Sequence, residues 1–490
     1  MTKLNMREQL VANCGLSSEL FLPMRRKLYN LSSCGQALIK GGVHLDAFEQ
    51  NLTTRFAQAA DFTHRPIQTA GLNCTLMFLE GLTSGADIAD FVLRPLARNR
   101  EPTAAAALAE EFLRCGVETA SASACADPEE AVCKLLNGFC VLCIPGAGGV
   151  AFEVKSGQIR GPSEPEVEST TRGPKDAFAE TARTNTALLR RHLRTEKLCI
   201  WETVVGRESR TNVSLLWLDG TAEPETVERM KRRLQELELR DLLTPAAVEH
   251  LLPGRRGTPF PLLQYTERTD KLATGLLAGR VGIFVDGLPV GYLAPVNLGW
   301  LLQSAEDRDT DPFSARFLKV LRLIALTSAL LLPALYVAMA EFHQEMLPTA
   351  LLEAIIESKQ KVPFPTAVEV LGLLTAFELL QEAGLSAPKA VSQPVSIIGG
   401  LVVGTAAVEA NLISPAALIL VSAAGICGFA LPGKSFADAI RLFRFGLTLC
   451  ATLAGLFGLT LGVLAMLIHL AGLESFDQAY LAPYSELGRK

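Results

Sequence analysis

Long stretches without a charged residue occupy the carboxy-terminal third of the chain, and they limit what this part can fold into. A helix needs about 20 apolar residues to cross roughly 30 Å of hydrocarbon. The last stretch exceeds that length, so it is the most secure candidate for a membrane span. The sequence therefore predicts an α-helical polytopic membrane domain over residues 316–474, with three or five spans. Its four uncharged stretches are Leu323–Ala340, Ala390–Val408, Ala410–Gly433 and Phe445–Leu473.

The first 315 residues have the composition of a region that folds in water. Charged residues are nearly twice as frequent there as in the remainder of the chain. Helical patterns alternate with short apolar runs, and Asp286-Gly287 is a typical hairpin turn between Val281–Val285 and Val290–Val296. We therefore predict a soluble α+β region in two subdomains, mostly helical over residues 1–135 and α/β over residues 136–300. A short tail, residues 475–490, follows the membrane domain.

The distribution of charge predicts the orientation of the membrane domain. The first thirty residues contain no apolar core of a cleavable signal peptide, so we expect the amino-terminal region to stay in the cytoplasm. Basic residues precede the first and last apolar stretches and acidic residues follow both, which predicts that both spans enter from the cytoplasm. Arg489 and Lys490, at the end of the chain, oppose an outside carboxy-terminus. The preceding basic residues are Arg316, Lys319, Arg322, Lys434, Arg441 and Arg444.

The residue content argues against nucleic-acid binding and against catalysis. A net charge of −5 lacks the basic surplus of nucleic-acid-binding proteins. The six histidines do not stand at metal-ligand spacing with one another or with a cysteine, and no nucleophile is paired with a base. The eleven cysteines are odd in number and irregularly spaced, which disfavours a disulfide framework. We interpret Cys140-x-x-Cys143 as part of a buried strand and expect neither an enzyme nor a cofactor.

A nearly apolar helix over Thr366–Ala383 carries three acids and is the first candidate membrane site. A carboxylate at mid-bilayer must face protein or water. The helix is either an interfacial amphipathic helix that never crosses, or a helix that lines a water-filled pore. In a pore, a constriction of Val368, Leu371 and Thr375 would dewet when shut, and rings of Glu369 or Glu378 would favour cations. Helical geometry places Glu378 and Glu382 on one face and Glu369 on the opposite face.

The segment Gly399–Glu409 is the second candidate membrane site. Small residues four apart, here and at Gly458-x-x-x-Gly462, let helix backbones approach closely in lipid. The alternative is that membrane helices are simply rich in glycine. The candidate residues in and around this segment are Gln393, Gly400, Gly404, Glu409 and Pro415.

The segment 164–185 combines rigid, bending and charged residues in the soluble region. Two prolines stiffen it, a glycine permits a tight bend, and its acids and arginine can form ion pairs. Such a segment either pins two parts of one chain together or couples neighbouring subunits. Its candidate residues are Glu164, Pro165, Glu168, Arg172, Gly173, Pro174, Glu180 and Asn185.

Several stretches resemble the GerA family of spore germination proteins, specifically the A-type subunits of germinant receptors and their SpoVAF relatives. Residues 164–185 resemble the family signature EPxxE-S-x-x-RGPR-x-x-F-x-E-x-x-x-x-N. Further matches, in family order, run over nearly the whole chain from about Gly81. They are Asp286-Gly287, Phe342–Thr349 with Val362–Pro365, Ser396–Gly399, Ala406–Glu409, Leu412–Pro415 and Tyr480–Pro483.

The resemblance implies a protein of the inner spore membrane, embedded in the lipid bilayer, with its large amino-terminal region on the cytoplasmic side. It implies a homo-oligomeric ion channel gated by a germinant, working with a B-type transporter-like subunit and a C-type lipoprotein. A SpoVAF-like member would instead pair with a small membrane partner and amplify ion release. A complete secondary transporter is disfavoured because the spans are few and show no repeated halves. A scaffold that conducts nothing remains an alternative.

Overall fold

The chain divides into two compact units, residues 1–157 and residues 158–490. The computed structural model describes residues 47–98, 103–114, 117, 119, 121–156, 165, 168, 173–253, 257–304, 307, 310–386 and 404–482.

The first unit is a five-stranded antiparallel sheet covered by helices. Its strands are β1 (Phe62–Thr69), β2 (Leu72–Leu79), β3 (Ala122–Cys125), β4 (Phe139–Ile144) and β5 (Gly148–Glu153). Its helices are α1 (Ala47–Arg55), α2 (residues 85–98, with a π-helical stretch at Ile88–Leu93), α3 (Ala105–Arg114) and α4 (Pro128–Leu136). The strand order is β1-β2-β4-β5-β3. The core lies between the sheet and α2 and α3, where Val92, Leu108 and Phe112 meet Leu142 and Phe152.

The predicted helical subdomain over residues 1–135 is wrong. Strands β1, β2 and β3 lie within it, and β2 pairs with β4 across the predicted boundary, with Thr75 opposite Cys143. The strand signal was hidden because most of β2 is buried and it lacks the alternation of a half-exposed strand. Cys140 and Cys143 do lie in a buried strand, as predicted, and burial raises the pKa of the Cys140 thiol to about 12.

The soluble part of the second unit repeats the architecture of the first. Its strands are β6 (Leu198–Val205), β7 (Thr211–Leu218), β8 (Gln264–Thr266), β9 (Val281–Val285) and β10 (Gly291–Ala294). Its helices are α5 (Ala182–His192), α6 (Pro224–Glu236), α7 (Pro245–Leu251), α8 (Thr269–Leu277) and α9 (Leu298–Leu301). The order β6-β7-β9-β10-β8 places corresponding strands as in the first sheet. Because the element sequence α-β-β-α-α-β-α-β-β also recurs, the two sheets have the form of an internal duplication.

The helical part of the second unit follows α9. It contains α10 (Pro312–Glu341), α11 (Thr349–Lys359), α12 (Thr366–Ser386), α13 (Gly404–Glu409), α14 (Pro415–Phe429), α15 (Lys434–Ala471) and a short tail hairpin of β11 (Glu474–Ser475) and β12 (Gln478–Ala479). Among the described residues, α10 and α15 are long and apolar enough to cross a membrane. They share a core in which Leu330 and Ala334 of α10 pack with Leu447 and Leu470 of α15.

Helix α15 folds back on itself, so the predicted single span Phe445–Leu473 is wrong. The helical conformation breaks at Ala454 and at Gly455, whose φ of 58° is readily adopted only by glycine. The rings of Phe443 and His469 lie 6.4 Å apart. In one continuous helix these residues would be about 39 Å apart at 1.5 Å per residue. The two arms, of roughly 20 and 16 residues, therefore run antiparallel and bring the tail back towards the start of α15.

Candidate functional site

The segment that carries the family signature packs onto the second sheet. Glu168 accepts hydrogen bonds from Thr266 at the end of β8 and from Lys271 of α8, the latter at 2.5 Å. Further along, Phe178 donates its backbone N–H to Glu267 at 2.9 Å, and Ala177 forms a bridge with Arg268. Pro165 is buried as well. These contacts join the signature segment to the second sheet of the same chain.

Asn185 fixes the part of the signature that leads into α5. Its side chain is fully buried, and it both accepts a hydrogen bond from the Ala179 N–H and donates one to the Ala179 carbonyl, each at 2.7 Å. The Glu180 carbonyl accepts a hydrogen bond from Gly287 at 2.7 Å, and Asp286 accepts one from the Ala182 N–H at 3.0 Å. The Asp286-Gly287 turn therefore closes over the start of α5, which explains why both elements belong to one pattern.

A small polar cluster stands beside this loop. Asp176 lies 2.6 Å from the His192 Nε2 and accepts a hydrogen bond from Thr269 at 2.9 Å. Burial alone would raise the pKa of the Asp176 carboxyl, but the hydrogen bonds from His192 and Thr269 outweigh it and hold that pKa below its usual value. The cluster ties the signature segment, α5 and α8 together. Across the described part of the chain, no group of three or more His, Cys, Asp or Glu side chains is arranged to hold a metal ion.

The remaining signature residues are less engaged or lie outside the described residues. Gly173 is exposed and has a φ of 101°, a conformation that suits glycine, and Pro174 beside it is exposed as well. Glu180 is exposed, so its backbone rather than its side chain contributes the contact to the turn. Glu164 and Arg172 lie outside the described residues.

Two of the three acids on α12 face the rest of the helical region. Glu369 is 3% exposed and accepts a hydrogen bond from the backbone N–H of Ser414, the residue that caps α14. Glu378 pairs with the buried guanidinium of Arg444, and Arg441 lies 3.8 Å from it. The prediction that Glu369 or Glu378 forms an acidic ring therefore does not fit their placement, because both carboxylates bind groups within the same chain.

The opposite side of α12 is exposed. Its buried face is formed by Ala367, Val370, Leu373 and Leu374, which pack with α10 and α14. Val368 is 54% exposed, Leu379 is 66% exposed, and Thr375 and Glu382 are exposed with them. These positions recur at helical spacing and form one stripe. Leu371 lies at the edge of this stripe and is half-buried.

The second candidate segment is described only in part. Gln393 and Gly400 lie outside the described residues. Gly404 is half-buried at the start of α13, and Glu409 is exposed at its end. Pro415 is the first residue of α14, after the Ser414 cap. The packing predicted for Gly458 and Gly462 is present between the arms of α15, since a Cβ on Gly462 would lie 2.8 Å from Leu447.

The tail hairpin is a contact between the helical region and the second sheet that the sequence did not predict. Ser475 accepts a hydrogen bond from Val296 at 3.1 Å and donates one to the Leu262 carbonyl at 2.8 Å. Arg229 of α6 donates to the Phe476 carbonyl at 3.0 Å and pairs with Asp477. Arg229 lies in a basic run of α6, and its guanidinium binds the tail rather than solvent alone. Residues so far apart in the chain leave no local signal of their pairing.

Comparison with known proteins identifies the family. The family model described as Bacillus/Clostridium GerA spore germination protein matches residues 50–490. The uncharacterized membrane protein YfkQ of Bacillus subtilis (strain 168) is 35% identical over 442 residues, which are 90% of this chain and 86% of that protein. Spore germination protein A1 of the same organism is 36% identical over 352 residues, 71% of this chain and 73% of that protein. Spore germination protein GerLA of Bacillus cereus is 32% identical over 426 residues, 86% of each.

A solved structure is also similar. The crystal structure of the N-terminal domain of the A subunit of the Bacillus megaterium spore germinant receptor GerK3 is 25% identical, with a TM-score of 0.40, and covers 51% of this chain and 95% of that chain. The family match extends over nearly the whole sequence and includes the signature segment, so the predicted resemblance is confirmed. This chain belongs to the GerA family of spore germination proteins.

Proposed function

We propose that this chain is a membrane subunit of a spore germination complex, and that its copies assemble around an ion pathway lined by α12. The observation that carries the proposal is the exposed stripe Val368, Thr375, Leu379 and Glu382 on an otherwise apolar, well-packed helix. A lipid-facing stripe would not favour the Glu382 carboxylate, since charged groups at membrane depth need protein or water. The Thr375 hydroxyl donates to the Leu371 carbonyl at 2.8 Å. A water-filled pathway between copies accommodates the carboxylate.

The residues of the stripe are of the types that form a hydrophobic constriction in an ion pathway. Val368 and Leu379 are large apolar side chains that would narrow the pathway and exclude water when the copies are close together. Glu382, near the end of α12, would form an acidic ring that favours cations. In this proposal Glu382 takes the role that the sequence assigned to Glu369 or Glu378, because it is the exposed acid on the helix.

The proposed location is the inner spore membrane, with the soluble region on the cytoplasmic side. Family membership and the two long apolar helices support membrane association. Arg322, at the start of the apolar part of α10, pairs with Asp307 at 2.5 Å. Arg316 and Lys319 precede it, which by the distribution of basic residues favours a cytoplasmic start for this helix.

The proposed partners follow from the family. Relatives of this chain are named as A-type germination proteins, and we propose that it works with a B-type transporter-like subunit and a C-type lipoprotein. If it is instead a SpoVAF-like amplifier, a small membrane protein replaces them. Genes adjacent to its own distinguish the two arrangements.

Cysteine substitution along α12 tests the pathway. The full-length protein is reconstituted in phosphatidylethanolamine–phosphatidylglycerol vesicles, and ion currents are recorded before and after a cationic, membrane-impermeant methanethiosulfonate. We expect Val368→Cys and Thr375→Cys channels to be blocked. Leu374→Cys, on the buried face, is the matched control and should behave as the wild-type chain with its native cysteines does.

Two results would contradict the proposal. Unchanged currents in both stripe variants would remove α12 from the pathway. A reconstituted protein that conducts nothing, combined with slow germination of spores that lack the gene, would support the scaffold alternative instead.

A further inference from the structure

We propose that the tail hairpin, residues 474–480, is the mechanical link through which the second sheet controls the membrane helices. This inference rests on the proposed function, because it assigns the regulation of the same pathway. The hairpin follows directly on the second arm of α15, and it contacts the residues that lead from β10 into α9. A movement of either part therefore acts directly on the hairpin.

The hairpin is bonded to the soluble side by buried polar groups. Ser475 is fully buried, and its hydroxyl bridges the Val296 N–H and the Leu262 carbonyl. These two residues flank the edge of the sheet, one just after β10 and the other just before β8. Removal of the hydroxyl would leave a buried donor and a buried acceptor without this partner, which is costly.

The hairpin is bonded equally well to the helical side. Tyr480 is fully buried and lies in one core with Phe260, Leu330 and Leu470. Its backbone N–H donates to the Leu473 carbonyl at 3.0 Å, and its own carbonyl accepts from Leu298 at 2.8 Å. The residue therefore joins the end of α15 to the start of α9, the helix that precedes α10.

The turn of the hairpin has a conformation that depends on these contacts. Phe476 and Asp477 have φ values of 49° and 64°, in the left-handed region that non-glycine residues seldom adopt. Successive left-handed residues suit a two-residue hairpin, but they are disfavoured for phenylalanine. The turn is held because Phe476 packs into the core of the second sheet and Arg229 binds both turn residues. Because these contacts, rather than the conformational preference of its own residues, stabilise the turn, its backbone conformation should change when the contacting residues move.

Substitutions in the turn distinguish a loss of coupling between the second sheet and the membrane helices from a loss of folding. Arg229 and Asp477 are partly exposed, so Arg229→Gln and Asp477→Asn should leave the chain folded. We expect each to slow nutrient-triggered potassium release from spores about threefold, which corresponds to about 0.65 kcal/mol and lies within the range measured for exposed ion pairs. The trigger is yeast extract with L-alanine, and protein abundance in the membrane fraction is measured in parallel. Ser475→Ala should slow release further, and Ser475→Thr, which keeps the hydroxyl, should restore much of it.

The controls distinguish this proposal from the general function. Arg207→Gln removes an exposed ion pair to Glu238 on the same part of the chain and should change nothing. The exchange Arg229→Asp with Asp477→Arg should recover release relative to either single change. Normal release in Arg229→Gln, Asp477→Asn and Ser475→Ala spores would overturn the link while leaving the channel proposal intact. Normal release in spores that lack the whole gene would overturn the channel proposal itself.

Discussion

The fold-back of α15 predicts a specific disulfide. A Cβ placed on Gly462 lies 3.4 Å from the native Cys450 Sγ, on the facing arm of the helix. In a continuous helix these positions are twelve residues apart and would be separated by about 18 Å. A disulfide requires Cα atoms within about 7 Å. Gly462→Cys should therefore form an intramolecular disulfide with Cys450 if the helix folds back, and not otherwise. The new Cβ approaches the end of the Leu447 side chain, which can rotate, so we expect a stability cost of only about 1 kcal/mol.

The assay uses the purified full-length protein, oxidised at low concentration with copper phenanthroline and digested for mass spectrometry. The expected product is a peptide pair that joins residues 450 and 462 within one chain. Gly446→Cys is the control, because a Cβ at Gly446 meets no atom within 4 Å. Absence of the 450–462 pair, with both thiols still reactive towards maleimide, would refute the fold-back. Pairs that form only between differently labelled chains would refute it equally.

Three further predictions concern stability of the full chain. Glu369→Ala should lower the free energy of unfolding, measured in SDS, by about 2–4 kcal/mol because the Ser414 N–H loses its partner. Glu369→Gln should lower it much less, since the amide oxygen still accepts that hydrogen bond. Gly425→Ala should destabilise by about 1–3 kcal/mol because its Cβ would lie 2.5 Å from the Phe377 ring, while Gly428→Ala, with open space, should be neutral or slightly stabilising in the same assay. The lowered pKa of Asp176 means that its contribution is present above about pH 4 and is lost as the pH falls through the folded-state value. Asp176→Asn should therefore lose about 1–2 kcal/mol in urea unfolding at pH 7, and the difference from the wild-type chain should shrink below pH 4.

Local signals in the sequence predicted the elements whose residues interact with near neighbours. The Asp286-Gly287 turn and the strands on either side of it form the predicted hairpin. The prediction for the first subdomain was wrong because Leu72–Leu79 is largely buried. A short apolar run of that kind does not distinguish a strand from a helix. The contact between Arg229 and the tail hairpin joins residues more than 240 positions apart, so no window on the sequence contains both.

The fold-back also removes the basis on which charge predicted the side where the last apolar stretch ends. Glu474 and Asp477 were interpreted as the acidic flank of a span that finishes outside the cytoplasm. In the structure this flank belongs to the tail hairpin, which packs on the second sheet, and Asp477 is paired with Arg229. An acid that is neutralised by a partner within the protein carries no information about the side of the membrane. The basic Arg489 and Lys490, which opposed the outside assignment, agree with a tail on the same side as the soluble region. The pairing of Asp477 and the position of the tail have the same cause. The helix reverses direction at Gly455, which brings the end of the apolar stretch back towards its start.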